Sequence, residues 1–233
     1  MLARCFAVAA VVLAGCGGKT VTAVSLNNGG TGSLNLLVKA DVDGVVSSAG
    51  SLTDLVVTIQ DRLGNKVSGA TVTIVNQTWG SVAVAETAAG SGDYRKTQPS
   101  FPSGDFALAV TCTPCTVAQA PSITGNIQGV VLGGPGVYAI TYPKAGVAVP
   151  AAQPVAISWT TPIQAAFATL TTGNFGPVSA ADTGTYTIPG TSNPAANSQS
   201  LNIARYNEVA IAGGLSGSRM RVTVEANVSY PVK

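Results

Sequence analysis

Residues 219–228 read RMRVTVEANV, and this stretch decides the fold class of the chain. Its apolar residues recur at every second position, with polar or charged residues between them. Successive side chains of a β-strand point to opposite sides, so this alternation predicts a strand with one buried face and one solvent-facing face. We expect inward positions at Met220, Val222, Val224, Ala226 and Val228, and exposed positions at Arg219, Arg221, Thr223, Glu225 and Asn227.

Shorter segments with the same alternation occur through the rest of the chain, separated by Gly, Pro and Asn. They are found at 34–40, 55–60, 70–74, 82–84, 106–110, 137–142, 155–159, 166–171, 185–188 and 201–203. No amphipathic helix is evident after the first twenty residues. Short strands at intervals of about 8–12 residues are typical of β-sandwiches. The sequence therefore predicts an all-β protein with two antiparallel β-sandwich domains.

The first fifteen residues have the layout of a secretory signal peptide. Arg4 provides a positive start, residues 6–13 are apolar, and small residues follow at 14–15. The apolar run is too short to cross a bilayer, which needs about 20 apolar residues. We predict that residues 1–15 are a signal peptide and that the mature protein is extracytoplasmic.

The end of this signal, Leu13-Ala14-Gly15-Cys16, resembles the lipobox of bacterial lipoproteins. That resemblance implies cleavage before Cys16 and a lipid anchor on the Cys16 thiol. It also implies a location in the cell envelope, and Gly17 after the cysteine implies the outer membrane if the cell is Gram-negative. The alternative is an ordinary cleaved signal with a chance cysteine.

The remaining chain divides by composition. Residues 16–33 are rich in Gly, Ser, Thr and Asn, which predicts a lipidated cysteine followed by a flexible linker. We predict a first β-sandwich domain over 34–125 and a second over 136–233, with the boundary near 122–135.

Composition limits the chemistry. Hydrophobic residues make up 46% of the chain, which is enough for a packed core, while charged residues make up only 9%. The absence of histidine removes the usual general base and the commonest metal ligand. The net charge is +2 without a basic cluster, which argues against nucleic-acid binding. We expect a non-enzymatic protein without cofactor or metal.

The region from about 52 to 112 contains a further resemblance. Residues 55–61 read LVVTIQD and residues 64–74 read GNKVSGATVTI. These stretches resemble bacterial Ig-like and carboxypeptidase-regulatory-like modules, which share a hairpin of strand, Gly-x-x-Val-x-Gly-Ala and strand. Residues 92–94 and 102–108 resemble the later strands of the same modules, and the second half of the chain is similar only loosely to other Ig-like surface domains. The resemblance implies an Ig-like β-sandwich used as a spacer or binding platform.

Two cysteines remain in the body of the chain, in Cys112-Thr113-Pro114-Cys115. A Cys-x-x-Cys pair can be redox-active where it opens a helix, but here it ends a predicted strand. Zinc would need two further ligands, which the sequence does not supply. A structural disulfide in an oxidising compartment is the interpretation we favour, with a redox pair and free thiols as alternatives.

Three other features have competing interpretations. Trp79 lies between strands and is a candidate ligand contact, although a packed turn is favoured. Trp159 is in phase with Val155 and Ile157, which predicts a core residue. Asp41-Val42-Asp43-Gly44 has part of a calcium-loop pattern, but it lacks the later oxygens, so a solvated turn is favoured.

Three functions are consistent with these observations. The first is a lipid-anchored envelope protein with a structural, adhesive or partner-binding role, whose partner is a protein or a glycan. The second is a carbohydrate-binding module, which would need Trp79 and another aromatic side chain on one exposed face. The third is an enzyme that uses carboxylates, which would need two of them converging in one pocket.

Overall fold

The computed structural model describes residues 28–32, 35–47, 49–117 and 120–233. The predicted signal peptide at 1–15, the lipidation of Cys16 and the predicted linker up to residue 27 lie outside the described residues. The described residues form sixteen strands and one short 3-10 helix at Gly190–Ser192. The prediction of an all-β fold is confirmed. No described segment forms a helix capable of spanning a membrane.

A seven-stranded sheet is the largest of the sheets that the described residues form. In spatial order it contains β13 (Phe175–Ala181), β12 (Phe167–Thr172), β15 (Ala196–Ala210), β16 (Arg219–Val232), β2 (Leu37–Ser47), β3 (Gly50–Gln60) and β7 (Asp93–Gln98). All neighbours in this sheet are antiparallel except β16 and β2, which pair in parallel.

Two smaller sheets complete the fold. The six-stranded sheet contains β1 (Asn28–Gly32), β9 (Ala120–Gly133), β8 (Asp105–Val117), β5 (Thr71–Asn76) and β6 (Gly80–Ala83) in that order, and β4 (Val67–Ser68) also pairs with β8. The three-stranded sheet contains β10 (Ile140–Tyr142), β11 (Val155–Trp159) and β14 (Thr185–Ile188). Buried apolar residues from all three sheets form one hydrophobic cluster.

Strand β16 has the phase that its alternation predicts. Val222 and Val224 are fully buried, and Val222 lies beside Val42 of β2 on the core-facing side of the large sheet. The opposite side of this sheet, which we call the outer face, carries Thr223 between Tyr206 and Asp43. Thr223 is only 6% exposed, so its predicted exposure is wrong. Thr223 lies on a central strand and is flanked on both sides, by Tyr206 of β15 and Asp43 of β2, which leaves little of it accessible.

The domain boundary expected near residues 122–135 falls largely within a strand. Residues 120–133 form β9, which pairs with β8 along most of its length. In addition, β16 from the second predicted domain pairs with β2 from the first over eight residue pairs. The regions 34–125 and 136–233 therefore contribute strands to one common sheet.

The predicted linker also ends earlier than expected, because residues 28–32 form β1 against β9. Glycine is needed here for close approach and not for flexibility. A Cβ atom on Gly29 would lie 2.4 Å from the Ala210 carbonyl oxygen, and one on Gly32 would lie 2.9 Å from the Ala212 carbonyl oxygen. The composition of this stretch had suggested mobility, whereas its glycines allow two backbones to touch.

The hairpin implied by the resemblance at residues 55–74 is not formed. Strand β3 pairs with β2 and β7 in the large sheet, whereas β5 pairs with β6 and β8 in the six-stranded sheet. The turn between them, at 61–66, therefore connects two sheets. Tyr94 of β7 joins the same two sheets, since its hydroxyl donates to the Val67 carbonyl oxygen at 3.1 Å.

Candidate functional site

Trp79, the candidate ligand contact, lies on the turn that joins β5 and β6. Its ring is half-buried and packs edge-on against Phe106, with ring centroids 5.6 Å apart. Phe106 is fully buried and Phe101, the next ring in this cluster, is 5% exposed. No exposed aromatic face is formed around Trp79 by these rings, so the geometry favours the packed turn over the ligand contact.

Trp159 is a core residue, as its phase predicts. It is 4% exposed, and its indole Nε1 donates to Asp182 Oδ1 at 2.8 Å. The second carboxylate oxygen of Asp182 accepts from the Ala165 backbone N–H at 2.8 Å. Asp182 thus fixes a ring and a loop in the interior of the second half of the chain.

The charge of Asp182 is balanced by Arg205 on β15. Both side chains are fully buried, and Arg205 Nε lies 3.0 Å from each carboxylate oxygen. The guanidinium also donates to the carbonyl oxygens of Gly136 and Ile163, and its centre lies 5.0 Å from the Tyr138 ring centroid. Its donors are thereby satisfied inside the protein, which indicates a structural role.

Sequence reasoning missed Arg205, although a signal was present. Leu201 and Ile203 were assigned to a short strand, and continuing that alternation by one step places Arg205 on the inward side. A charged residue at an inward position calls for a buried partner. The sequence alone could not have indicated that Asp182 is this partner.

The two cysteines of the body lie within β8, where the pairing with β9 is irregular. Their Sγ atoms are at bonding distance, 2.13 Å apart, and their Cα atoms are 5.1 Å apart. Cys112 and Cys115 are both almost fully buried, whereas Thr113 and Pro114 between them are exposed. This placement supports the structural disulfide and provides no exposed sulfur for redox exchange.

The disulfide leads to a first testable prediction. In denaturant without reductant, we expect Cys112 and Cys115 to resist alkylation, and after reduction we expect both to react. Denaturant removes the protection that burial alone would give to free thiols, so the assay reports the covalent bond. Peptide mass spectrometry reads the result, and alkylation of both residues before reduction would contradict the prediction.

The outer face of the large sheet carries a concave surface that is lined by several charged side chains. Asp41 and Asp43, which were expected in a solvated turn, instead lie within β2 and both point to this face. They line a groove with a volume of about 370 Å³, which we call the outer groove. Its lining residues are Asp41, Asp43, Val45, Thr169, Ala204, Tyr206, Arg221, Thr223 and Glu225.

Most carboxylates on the outer face are neutralised by arginine. Asp41 is paired with Arg219 at 2.5 Å, and Glu208 is paired with Arg221 at 2.7 Å. Asp54, which lies directly opposite Asp43 in the β2–β3 ladder, is paired with Arg95.

Asp43 and Glu225 differ from these carboxylates in having no arginine or lysine partner among the described residues. The ion pairs of the described residues include neither of them. Asp43 accepts a hydrogen bond from the Thr223 side chain, and Glu225 accepts one from Asn202 Nδ2 at 3.4 Å. The groove therefore contains two carboxylates whose charge the described residues do not neutralise with a salt bridge.

The surroundings of Asp43 disfavour its charged form. Burial raises the pKa of its carboxyl group most, and the negative charges of Asp41 and Glu225 raise the pKa further. The hydrogen bond from Thr223 and the charge of Arg219 act in the opposite direction but are outweighed. Asp54 faces Asp43 from β3, although Arg95 neutralises it.

This raised pKa gives a second prediction, on stability. The folded chain holds the Asp43 proton more tightly than the unfolded chain does, so ionisation of this carboxyl group destabilises the fold. The destabilisation is absent below the ordinary pKa of 3.8 and is complete once the pH exceeds the raised pKa. We expect Asp43→Asn to raise the melting temperature at pH 7 and to leave it nearly unchanged at about pH 3. Equal or lower stability of the variant at pH 7 would contradict this.

Apolar and aromatic side chains border the groove. Val45 is 46% exposed and lies opposite Leu52, which is 59% exposed. On the other side, Phe167 is 45% exposed and stacks on Tyr206 with ring centroids 5.3 Å apart. The guanidinium of Arg221 lies 4.7 Å from the Tyr206 ring centroid. The outer face thus combines unneutralised carboxylates with exposed apolar surface.

The groove is open along the sheet face, and its carboxylates do not form a recognisable metal centre. Within the described ranges, no group of three or more Cys, Asp or Glu residues is arranged to hold a metal ion. Asp41, Asp43 and Glu225 do line one groove, as the enzyme hypothesis required of carboxylates. Sequence reasoning could not find this groove, because it depends on pairing between strands that are far apart in the chain.

Neither a protein-family model nor a curated protein matches the chain. Among solved structures, the chain is similar to fibronectin(III)-like modules of Clostridium thermocellum CbhA. The two share 12% sequence identity, the match covers 84% of this chain and 94% of that chain, and the TM-score is 0.26. The all-β sandwich assignment rests on the sheets themselves.

Proposed function

We propose that this chain is a lipid-anchored cell-envelope protein that binds a partner through the outer groove and has no catalytic role. The observation that carries the binding role is the outer face itself, where Asp43 and Glu225 lie beside exposed Val45 and Leu52. Exposed apolar side chains beside unneutralised carboxylates offer a partner both aliphatic contact and a counter-charge. The anchor rests on the lipobox resemblance at Cys16.

The open shape of the groove favours binding over catalysis. Acid–base chemistry by two carboxylates is helped by a site that excludes water. Here the groove runs over a sheet face, and Asp41 is held by Arg219. Carbohydrate binding through Trp79 has less support, because that ring packs against Phe106.

Site-specific photo-crosslinking tests the binding role. A photoreactive amino acid replaces Leu52, beside the groove, in the full-length protein within its native membranes. The matched control replaces Leu63, which is 79% exposed on the 61–66 turn. We expect a discrete crosslinked partner from position 52 and not from position 63. The proposal fails if position 52 gives no crosslink or if both positions give the same products.

The anchor gives a third prediction. We expect the mature chain to begin at Cys16 with lipid attached, because the lipobox cysteine supplies the acceptor thiol. Mass spectrometry of the N-terminal peptide measures this directly. Cys16→Ser should block the modification and release the protein from the membrane fraction. An unmodified Cys16, or a mature chain that starts elsewhere, would contradict the anchor.

A further inference from the structure

We infer that the outer groove binds a polypeptide segment in which Lys or Arg side chains stand next to apolar side chains. This inference rests on the proposed function, since it names the partner chemistry of the same groove. Its basis is an excess of carboxylates over guanidinium groups in the groove, next to exposed apolar side chains.

The first step is the charge of the groove. Counting its lining residues and their ion-pair partners, four carboxylates (Asp41, Asp43, Glu208 and Glu225) face two guanidinium groups (Arg219 and Arg221). Lys39 follows on the same face of β2, beyond the ion pair of Asp41, and is exposed. The excess negative charge is therefore local to Asp43 and Glu225. A partner cation complements it, and charge complementarity favours association and suppresses wrong partners.

The second step is the position of the two carboxylates. Asp43 pairs with Thr223 across the β2–β16 ladder, and Glu225 lies two residues further on the same face of β16. A cationic group held above Thr223 would thus lie beside both carboxylates. It would relieve the repulsion between them, which Thr223, Arg219 and Asn202 offset only in part in the isolated chain.

The third step is the apolar border. Val45 lies opposite both Glu225 and Leu52, so aliphatic surface begins directly beside the negative charge. Lys and Arg have long aliphatic stems that pack on such surface while the charged head stays with its partner. On the other border, the exposed ring of Phe167 offers a face for a second cation or for an apolar neighbour.

Other ligand classes fit this surface less well. The arginines that line or border the groove, Arg219 and Arg221, are already paired with Asp41 and Glu208, which disfavours anionic ligands. A neutral saccharide could stack on Phe167, but it would leave the two carboxylates without a counter-charge. The observations therefore favour a basic polypeptide over a glycan.

Binding of defined probes tests the inference with the full-length mature protein in detergent. The probe is a fluorescent nonapeptide of alternating Lys and Val, and its matched control has Glu in place of Lys. Chitohexaose serves as the glycan probe. We expect saturable binding of the Lys peptide alone, weakened severalfold when ionic strength rises from about 0.05 to about 0.2 M.

Charge-removing variants then locate the site. We expect the double variant Asp43→Asn, Glu225→Gln to weaken binding of the Lys peptide roughly tenfold or more, the loss that removal of a close charge partner commonly causes. The matched control, Asp93→Asn, removes one charge on β7 that pairs with exposed Lys66 and should change affinity less than about twofold. Thermal melts of the double variant and of Asp93→Asn, compared with the unchanged protein, show whether lost binding reflects unfolding.

The outcomes separate the two proposals. Equal binding of the Glu peptide, preferential binding of chitohexaose, or unchanged affinity of the double variant would overturn the inference of a basic partner. A partner crosslinked at position 52 would still support the binding role in each of these cases. Conversely, failure of crosslinking at position 52 counts against the binding role, whatever the peptides do.

Discussion

Asp182→Asn is expected to destabilise the protein by about 3–5 kcal/mol, the usual cost of leaving a buried charge without its partner. Asparagine preserves the size of the side chain but keeps only one acceptor oxygen, so either Trp159 Nε1 or the Ala165 N–H also loses its acceptor. It removes the charge, so the fully buried guanidinium of Arg205 remains without a counter-ion. Denaturant unfolding followed by circular dichroism measures the change in free energy of unfolding.

Two comparisons make this result specific. Asp54→Asn removes the same charge from the exposed pair with Arg95 and should cost less than about 1 kcal/mol. Adding Arg205→Met to Asp182→Asn removes the orphaned charge, so the double variant should be more stable than Asp182→Asn alone. If Asp182→Asn costs no more than Asp54→Asn, the buried ion pair does not have the role assigned here.

Val222→Asp is expected to have the second large effect, a loss of several kcal/mol out of the roughly 5–15 kcal/mol that stabilise a domain. Val222 of β16 is fully buried, so the new carboxylate would be desolvated and unpaired. Thermal melts of three variants on the same strand test this. Asn227→Asp, at an exposed position, should change stability by no more than about 0.5 kcal/mol.

Thr223→Asp is expected to lower stability by an amount between the effects of Asn227→Asp and Val222→Asp. The alternation of β16 alone predicts that this change costs little, because position 223 points away from the core. The structure revises that expectation, because Thr223 is 6% exposed and donates a hydrogen bond to Asp43. A third carboxylate between Asp43 and Glu225 should cost more than Asn227→Asp and less than Val222→Asp. If Thr223→Asp were as stable as Asn227→Asp, position 223 would not be buried beside Asp43 and Glu225 as described.

The sequence predicted those elements whose signal is local. The phase of β16 and the strands at 155–159 and 185–188 follow from alternation alone, and the structure confirms them. Strand β9 was missed because Gly125 and Gly129 interrupt its pattern, and Gly129 has a positive φ of 67° at an irregularity in the ladder. Glycine marks a turn and a bulge equally well, so composition could not separate the two.

The sequence could not predict the outer groove, for a different reason. Asp43, Thr223 and Tyr206 are neighbours only because β2, β16 and β15 lie side by side. Strand order is a property of the whole chain, and no local pattern encodes it. Two aspartates before a glycine are typical of a turn, which is why 41–44 was predicted to be one. In the structure Val42 and Gly44 point inward, and the segment lies within β2.

The parallel pairing of β16 with β2 also affects the order in which the protein can fold. The Arg219–Asp41 ion pair closes a sequence separation of 178 residues, and the Ser218 hydroxyl donates to the Leu36 carbonyl oxygen across 182 residues. Contacts this distant lose much chain entropy before any interaction compensates, so such topologies fold slowly. The centre of the large sheet forms only when the last strand of this chain is available. Until then β2 and β15 each present an open hydrogen-bonding edge, the kind of surface on which nascent chains aggregate.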